Sequence, residues 1–229
     1  MNIILMPFQI DELWGYQDTE DHVIIVPQFN YAHNFSENLA SVKIGEKWGY
    51  INSLGDMEIQ PRYDSAGKFS NGVARVKVGN KYGYINSTGR MLIQPKFEWS
   101  GYFSDGLIPA LISQKVGYID IEGNIVISPQ FDEVLIFSEG IAPVKTNNKW
   151  GYIDKTGRLL GKIEFDEAHK ISDGLARVKI NSKWGYVNKK GQIVIQCQFD
   201  QASDFSDGIA EVVSSNQISH IDKMGDVLW

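Results

Sequence analysis

The chain has 229 residues, a net charge of −6 from 22 basic and 28 acidic side chains, and one cysteine, so it carries no intrachain disulfide framework. Affinity for nucleic acid comes largely from neutralising phosphates, and an acidic chain of pI near 5.2 without a basic block argues against that partner. No apolar run approaches the ~18 residues of a membrane span, and the lone Cys197 fits a reducing cytoplasm.

At the start of the chain, residues 3–6 are apolar, but Pro7, Gln9, Asp11 and Glu12 follow at once. No basic n-region and no long apolar h-region are present, so no secretory leader is expected. From there one message repeats every 34 residues without insertion. Its landmark is an aromatic-glycine-tyrosine step: Trp14-Gly15-Tyr16, Trp48-Gly49-Tyr50, Tyr82-Gly83-Tyr84, Trp150-Gly151-Tyr152 and Trp184-Gly185-Tyr186. Val116-Gly117-Tyr118 keeps the frame with a weaker first residue, and Ile218-Ser219-His220 is degenerate. A fixed period of this kind means stacked supersecondary units with a shared core. The sequence therefore predicts a single array over residues 1–229 of about seven copies, the first and last degenerate.

Within a copy, Lys149 to Asp154 is aromatic and β-branched, Lys155-Thr156-Gly157 are turn formers, and Arg158-Leu159-Leu160 opens an apolar run. That order is a hairpin signal. The Asp or Asn leading each turn (Asp18, Asn52, Asn86, Asp120, Asp154, Asn188, Asp222) suits backbone capping. The second run ends in a Pro-x-aromatic-acid step such as Pro61-Arg62-Tyr63-Asp64, where proline is expected to close the strand. Phe-Ser-acid/amide-Gly follows, as at residues 69–72, and then a run alternating with period two. In that run Ala176, Val178 and Ile180 share one face, and Arg177 and Lys179 the other. Each copy is thus expected to hold three short strands and one longer loop.

Helical pairs of the same period are excluded. Seventeen of the 22 glycines fall in three fixed columns, and each would cost ~1 kcal/mol inside a helix. For the glycine after the aromatic, the expectation is a bare strand face covered by a neighbouring ring. The fold class is all-β, an open solenoid-like array of tandem 34-residue repeats, with a closed seven-bladed propeller-like ring as the alternative.

The string Lys-Trp-Gly-Tyr-Ile-Asp-x-x-Gly, then Ile-x-Pro-x-Phe-Asp, then Phe-Ser-Asp-Gly-Leu-Ala-x-Val resembles the bacterial WG-repeat (KWG) proteins from about residue 5 to the C-terminus. The resemblance implies a β-rich array that mediates interactions and carries no catalytic motif. Departures are Val116 for Trp and Ile163 where proline is usual.

None of the strings HExxH, GxSxG, GxxxxGK[ST] or paired CxxC occurs, and neither an enzyme nor a cofactor is expected. Cys197 stands in the proline column and reads as filler. His22, His33, His169 and His220 read as incidental. A second acidic column (Asn30, Asp64, Glu98, Asp132, Asp166, Asp200) could be imagined around calcium, but capping is preferred for the turns and no metal is expected. The basic third-strand stripe, Lys43, Arg75, Lys77, Lys145, Arg177 and Lys179, reads as a solvated face.

Function is sought where the copies differ. Trp99, Tyr102, Pro109, Leu111, Leu135 and Ile136 put apolar groups where other copies are polar. Together they are the candidate surface for binding a protein partner. Local packing that compensates for Val116 is the competing explanation. The function expected is a non-catalytic protein-interaction scaffold, with a glycan or other small-ligand module as the alternative. Neither the partner nor the oligomeric state is legible.

Overall fold

The computed structural model describes residues 4–229, so the leader expectation lies partly outside the described residues, at residues 1–3. Among the described residues every regular element is a strand, arranged in seven small antiparallel sheets spanning residues 6–29, 31–63, 65–97, 108–131, 133–165, 167–199 and 201–221. None closes into a barrel. The chain divides into two compact units, Met1–Phe103 and Ser104–Trp229. The first holds three of the sheets and the second four.

One sheet shows how the others are built. Its strands Tyr31–Ala32, Ala40–Ile44, Lys47–Ile51 and Met57–Tyr63 are hydrogen-bonded in that order. The two-residue strand lies beyond what the sequence pattern predicts, because it is too short to show alternation. Its inward residue is buried in every case, alanine in four (Ala32, Ala66, Ala168, Ala202) and Val134 in the fifth. The two long strands meet in a two-residue turn with left-handed backbone, at Gly45 (φ 58°) here and at Asn147 and Asn148 (φ 51° and 62°) in a later sheet. That twist matches a right-handed hairpin, which explains Gly and Asn at these positions.

The tyrosine of each aromatic-glycine-tyrosine step is the centre of its core. Tyr16, Tyr50, Tyr84, Tyr118, Tyr152 and Tyr186 are all fully buried. Each hydroxyl donates to a backbone carbonyl 17 residues on: His33, Gly67, Gly101, Leu135, His169 and Ser203, at 2.5–2.8 Å. A large ring buries ~150–250 Å², and the bond satisfies the polar tip that would otherwise be stranded in the core.

Two expectations are corrected at the glycine and the proline. A Cβ on Gly49 would lie 2.4 Å from the Ile59 carbonyl oxygen and 2.8 Å from the Pro61 nitrogen. The bare face is therefore covered by backbone and not by a ring. The proline does not close its strand. Met57–Tyr63 runs through Pro61, and the register jumps from Trp48 opposite Tyr63 to Tyr50 opposite Ile59. Two extra residues bulge against the glycine there, and proline, lacking an amide, fits where a ladder bond is already lost. The fifth copy solves the same contact differently. Ile163 presses on Gly151 (2.8 Å to an added Cβ), and Gly161 replaces the isoleucine found at Ile59 and Ile127.

The Phe-Ser-acid/amide-Gly segment ties one copy to the next inside each unit. Ser36 Oγ donates to the Phe69 carbonyl, and Ser104, Ser138 and Ser172 repeat this at 33-residue separation with lengths of 2.8–3.0 Å. The following acid accepts from the next copy's turn, as Glu37 does from the amides of Asn71 (2.6 Å) and Gly72 (2.8 Å). Asp105 and Asp173 cap Gly140 and Gly208 in the same way.

Gly49→Ala should destabilise the protein by more than ~2 kcal/mol, read as a fall in the urea midpoint, because the new methyl meets backbone that cannot move aside. A midpoint within error of wild type would refute the close-approach account. Alkaline pH supplies a second measurement. Burial pushes the Tyr84 phenol from 10.0 up to about 12 and raises Tyr16, Tyr50, Tyr118, Tyr152 and Tyr186 likewise. Below the unfolded-state value of ~10 the contribution of the neutral phenols is intact, and it is lost as pH rises beyond that value. The phenolate absorbance that belongs to these six buried tyrosines should therefore appear together with the change in circular dichroism above pH ~10. Ionisation of these tyrosines near pH 10 with the fold retained would count against it.

Candidate functional site

The cross-strand register decides what lies over the first ring of each aromatic-glycine-tyrosine step. It sets Lys43 opposite Trp48, Lys77 opposite Tyr82, Leu111 opposite Val116, Lys145 opposite Trp150 and Lys179 opposite Trp184. The ammonium groups of Lys77, Lys145 and Lys179 sit 5.5, 5.7 and 5.2 Å from the ring centres. Arg75 and Arg177 add contacts at 4.7 and 5.3 Å to Tyr82 and Trp184. Five of the six cations in the basic stripe therefore make cation–π contacts, each worth ~0.5–1 kcal/mol at an exposed site, while Lys43 reaches Glu46 at 3.6 Å, and the stripe is more than a solvated face. The tyrosine column is core, while Trp14, Trp48, Tyr82 and Trp150 are half-buried and keep an edge or face toward solvent.

The same register settles two of the six predicted partner residues. Where the ring becomes Val116 its opposite residue becomes Leu111, and both pack in one apolar cluster of the second unit. Leu111 thus replaces a cation that has lost its ring. Pro109 is buried opposite Tyr118 and shares its column with Pro7 and Pro143, so it is neither exposed nor unusual. Ile136 is half-buried and Leu135 36 % exposed, also in the second unit. Trp99 and Tyr102 are 41 % and 48 % exposed and belong to the first. As an exposed apolar patch the six-residue set therefore loses Pro109 and Leu111, and the remaining four are divided between the two units.

The first unit has a richer surface than those residues alone indicate. Tyr31 lies 5.1 Å from Trp14 and 5.7 Å from Trp48, and His33 stacks on Trp48 at 4.8 Å with the rings 13° apart. His33 Nδ1 is 2.8 Å from Ser41 Oγ, and desolvation holds the imidazole below its usual value of 6.5. Beside this run of rings is a cleft of about 510 Å³ lined by His33, Lys68, Arg75, Lys77, Tyr82 and Tyr102, among others. Arg75 lies between two rings, 4.7 Å from Tyr82 and 4.4 Å from Tyr102, and donates to the Ser100 carbonyl. Exposed Tyr31 and Trp99 share one sequence column, a signal that was available in the sequence. The pairing of Arg75 with Tyr102 depends on register and was not.

The two acidic and amide columns have defined partners. All seven turn residues accept from amides two or four positions on, as Asn52 does from Leu54 and Asp56 at 3.0 Å. Asp64, Asp132, Asp166 and Asp200 each accept from a lysine 17 residues back at 2.5 Å and from a hairpin amide. The lysine bond is the leading cause that holds these carboxyls below their ordinary value. Burial pushes the Cys197 thiol up, away from a nucleophile's requirement. Among the described residues no cluster of three or more His, Cys, Asp or Glu could hold a metal, and no helix is long and apolar enough to cross a membrane.

This geometry defines a tandem β-repeat protein of small antiparallel sheets. The chain belongs to the WG-repeat family: the profile described as "WG containing repeat" matches residues 14–48, 48–82, 82–115, 117–150, 150–184 and 184–216. No curated protein matches the sequence. Solved structures similar in fold include a eukaryotic initiation factor, with 13 % identity, a TM-score of 0.69, and coverage of 100 % of this chain and 73 % of that one. Kluyveromyces lactis Hsv2p matches at 9 % identity and TM-score 0.55 over 95 % of this chain and 89 % of its own. The dihydro-heme d1 dehydrogenase NirN matches at 10 % and 0.55 over 98 % and 63 %. At such identities the likeness concerns fold alone. The neighbours are propeller-like, in agreement with the alternative arrangement drawn from the sequence.

Leu111→Lys and Val116→Trp together should restore the cation-over-ring pair of the neighbouring copies. Each single change should lower the melting temperature, and the double variant should recover part of the loss, with a coupling of at least ~0.5 kcal/mol. Strictly additive losses would contradict the compensation account.

Proposed function

We propose that this chain is a non-catalytic protein-interaction scaffold, and that a partner protein docks on the ring surface of its first unit. The observation that carries the reading is the contact run Trp14–Tyr31–Trp48–His33, with Tyr31 itself 43 % exposed, alongside exposed Trp99 and Tyr102. Aromatic side chains supply large contact area at low entropic cost and dominate interface hot spots. In a repeat protein the buried columns build the scaffold, and rings left half open are surplus to it. A cytoplasmic setting suits the single free cysteine.

A glycan or small-ligand module is the second reading, favoured by the cleft of about 510 Å³ beside those rings, a size ordinary for such ligands. A blank glycan array would remove its carbohydrate form.

The test is capture from native lysate with wild type and with the double variant Tyr31→Lys, Trp99→Lys. The same partner, identified by mass spectrometry, should be recovered by wild type and lost by the variant, with the melting temperature within ~2 °C of wild type. Undiminished recovery would overturn the docking surface. Loss of recovery together with a large fall in melting temperature would reassign these rings to the scaffold.

A further inference from the structure

Comparing the two units at equivalent positions exposes a charge difference that the repeat does not require. In the second unit the third-strand cations are neutralised locally. Lys145 pairs with Glu133 at 2.6 Å, Lys179 with Glu167 at 2.7 Å, and Arg177 with Asp204 at 2.8 Å. The register that creates these pairs is kept in the first unit, where Ser65 stands opposite Lys77 just as Glu133 stands opposite Lys145. The acids are not kept. Ser65 takes the glutamate's column, and Tyr102 takes that of Asp204. Lys77 and Arg75 therefore form no ion pair, with Asp64 acting on Lys77 only through space, and Lys68 adds a third positive charge from the exposed loop. Among the described residues no Asp or Glu lines the cleft, and none of its three cations forms an ion pair. Asp64, close in sequence, is engaged by Lys47 at 2.5 Å and by the Gly79 amide at 2.6 Å. On a chain of net charge −6 this is a concentrated positive site.

Resting on the scaffold reading above, we propose that this cleft receives the acidic side chains of an extended peptide segment of the partner, with an apolar residue of that segment lying on the adjoining rings. Charge complementarity selects the carboxylates. Continuity selects a peptide over a small anion, because His33 both lines the cleft and stacks on Trp48, joining the charged pocket to the Trp14–Tyr31–Trp48 run. Arg75, held between Tyr82 and Tyr102, is pre-oriented, so less side-chain freedom is lost on binding.

The probe is a short fluorescein-labelled peptide of aspartate and glutamate with one central phenylalanine, followed by fluorescence anisotropy. Its counterpart of asparagine and glutamine is the control. Wild type should bind the acidic peptide saturably and the amide control at least ~10-fold more weakly, with affinity falling as salt shortens the screening length. Ser65→Glu supplies the missing internal partner of Lys77 and should weaken binding ~10-fold or more. Its melting temperature should stay unchanged, because Glu133 and Glu167 already occupy that position in this fold. Lys68→Glu, on an exposed side chain, should do the same. The proposal falls if the peptide does not bind wild type or if both variants bind it normally. It also falls if inorganic phosphate displaces it at concentrations where chloride of equal ionic strength does not, which would make the cleft a small-anion site. If the peptide fails while lysate capture still depends on Tyr31 and Trp99, the scaffold reading stands and only the acidic segment is refuted. Capture indifferent to those rings refutes the scaffold reading by itself.

Discussion

Six copies depend on a buried phenol whose hydroxyl reaches a carbonyl 17 residues further along the chain, and the last copy has His220 in its place. The ring supplies the apolar area that a sheet of three or four short strands could not provide alone, and the hydroxyl fixes how the following loop lies against it. Around that bond the other repeated residues have definite physical tasks. Glycine lets the bulged strand approach within ångströms of its backbone, proline sits where a ladder bond is already forfeited, and serine closes the next loop onto its neighbour.

The surface consequence follows from alternation along the same strand. With tyrosine committed to the interior, the residue two positions earlier is held at the rim, where its opposite number is set by hairpin register. That residue pair varies within the frame: lysine over indole in several copies, leucine beside valine in one. Variation there is cheap because the bulge, the turns and the phenol bond do not depend on it.

Much of this was legible in the sequence. The Trp-Gly-Tyr frame, the Asp or Asn leading each turn and the alternation of Ala176, Val178 and Ile180 specify β hairpins with no helix, and the structure has them. What escaped depended on register or on very short elements. Ser65–Ala66 is too brief to show a period. Reading Pro61 as a strand end follows from its missing amide, but a two-residue bulge accommodates that absence equally well. Trp99 and Tyr102 were found because they break a column. Leu111 broke one too, yet it answers Val116 across the hairpin, and seeing that requires the pairing of residues 111 and 116. Pro109 was separable in principle, since Pro7 and Pro143 share its column. The missing acids opposite Lys77 and beside Arg75 become visible only once the 12-residue offset of Glu133 from Lys145 and the 27-residue offset of Asp204 from Arg177 are known.

The bonds that run from one copy to the next have a genetic corollary. Serine to carbonyl and acid to amide contacts span 33 and 35 residues, so inside a unit a bond broken at one copy boundary is offered again wherever the neighbouring copy carries the same residues. Duplicating or excising a full period of coding sequence preserves the spacing of these donors and acceptors, whereas a fractional change strands them. Relatives of this chain should therefore differ in length by whole multiples of the period, with intermediate lengths selected against.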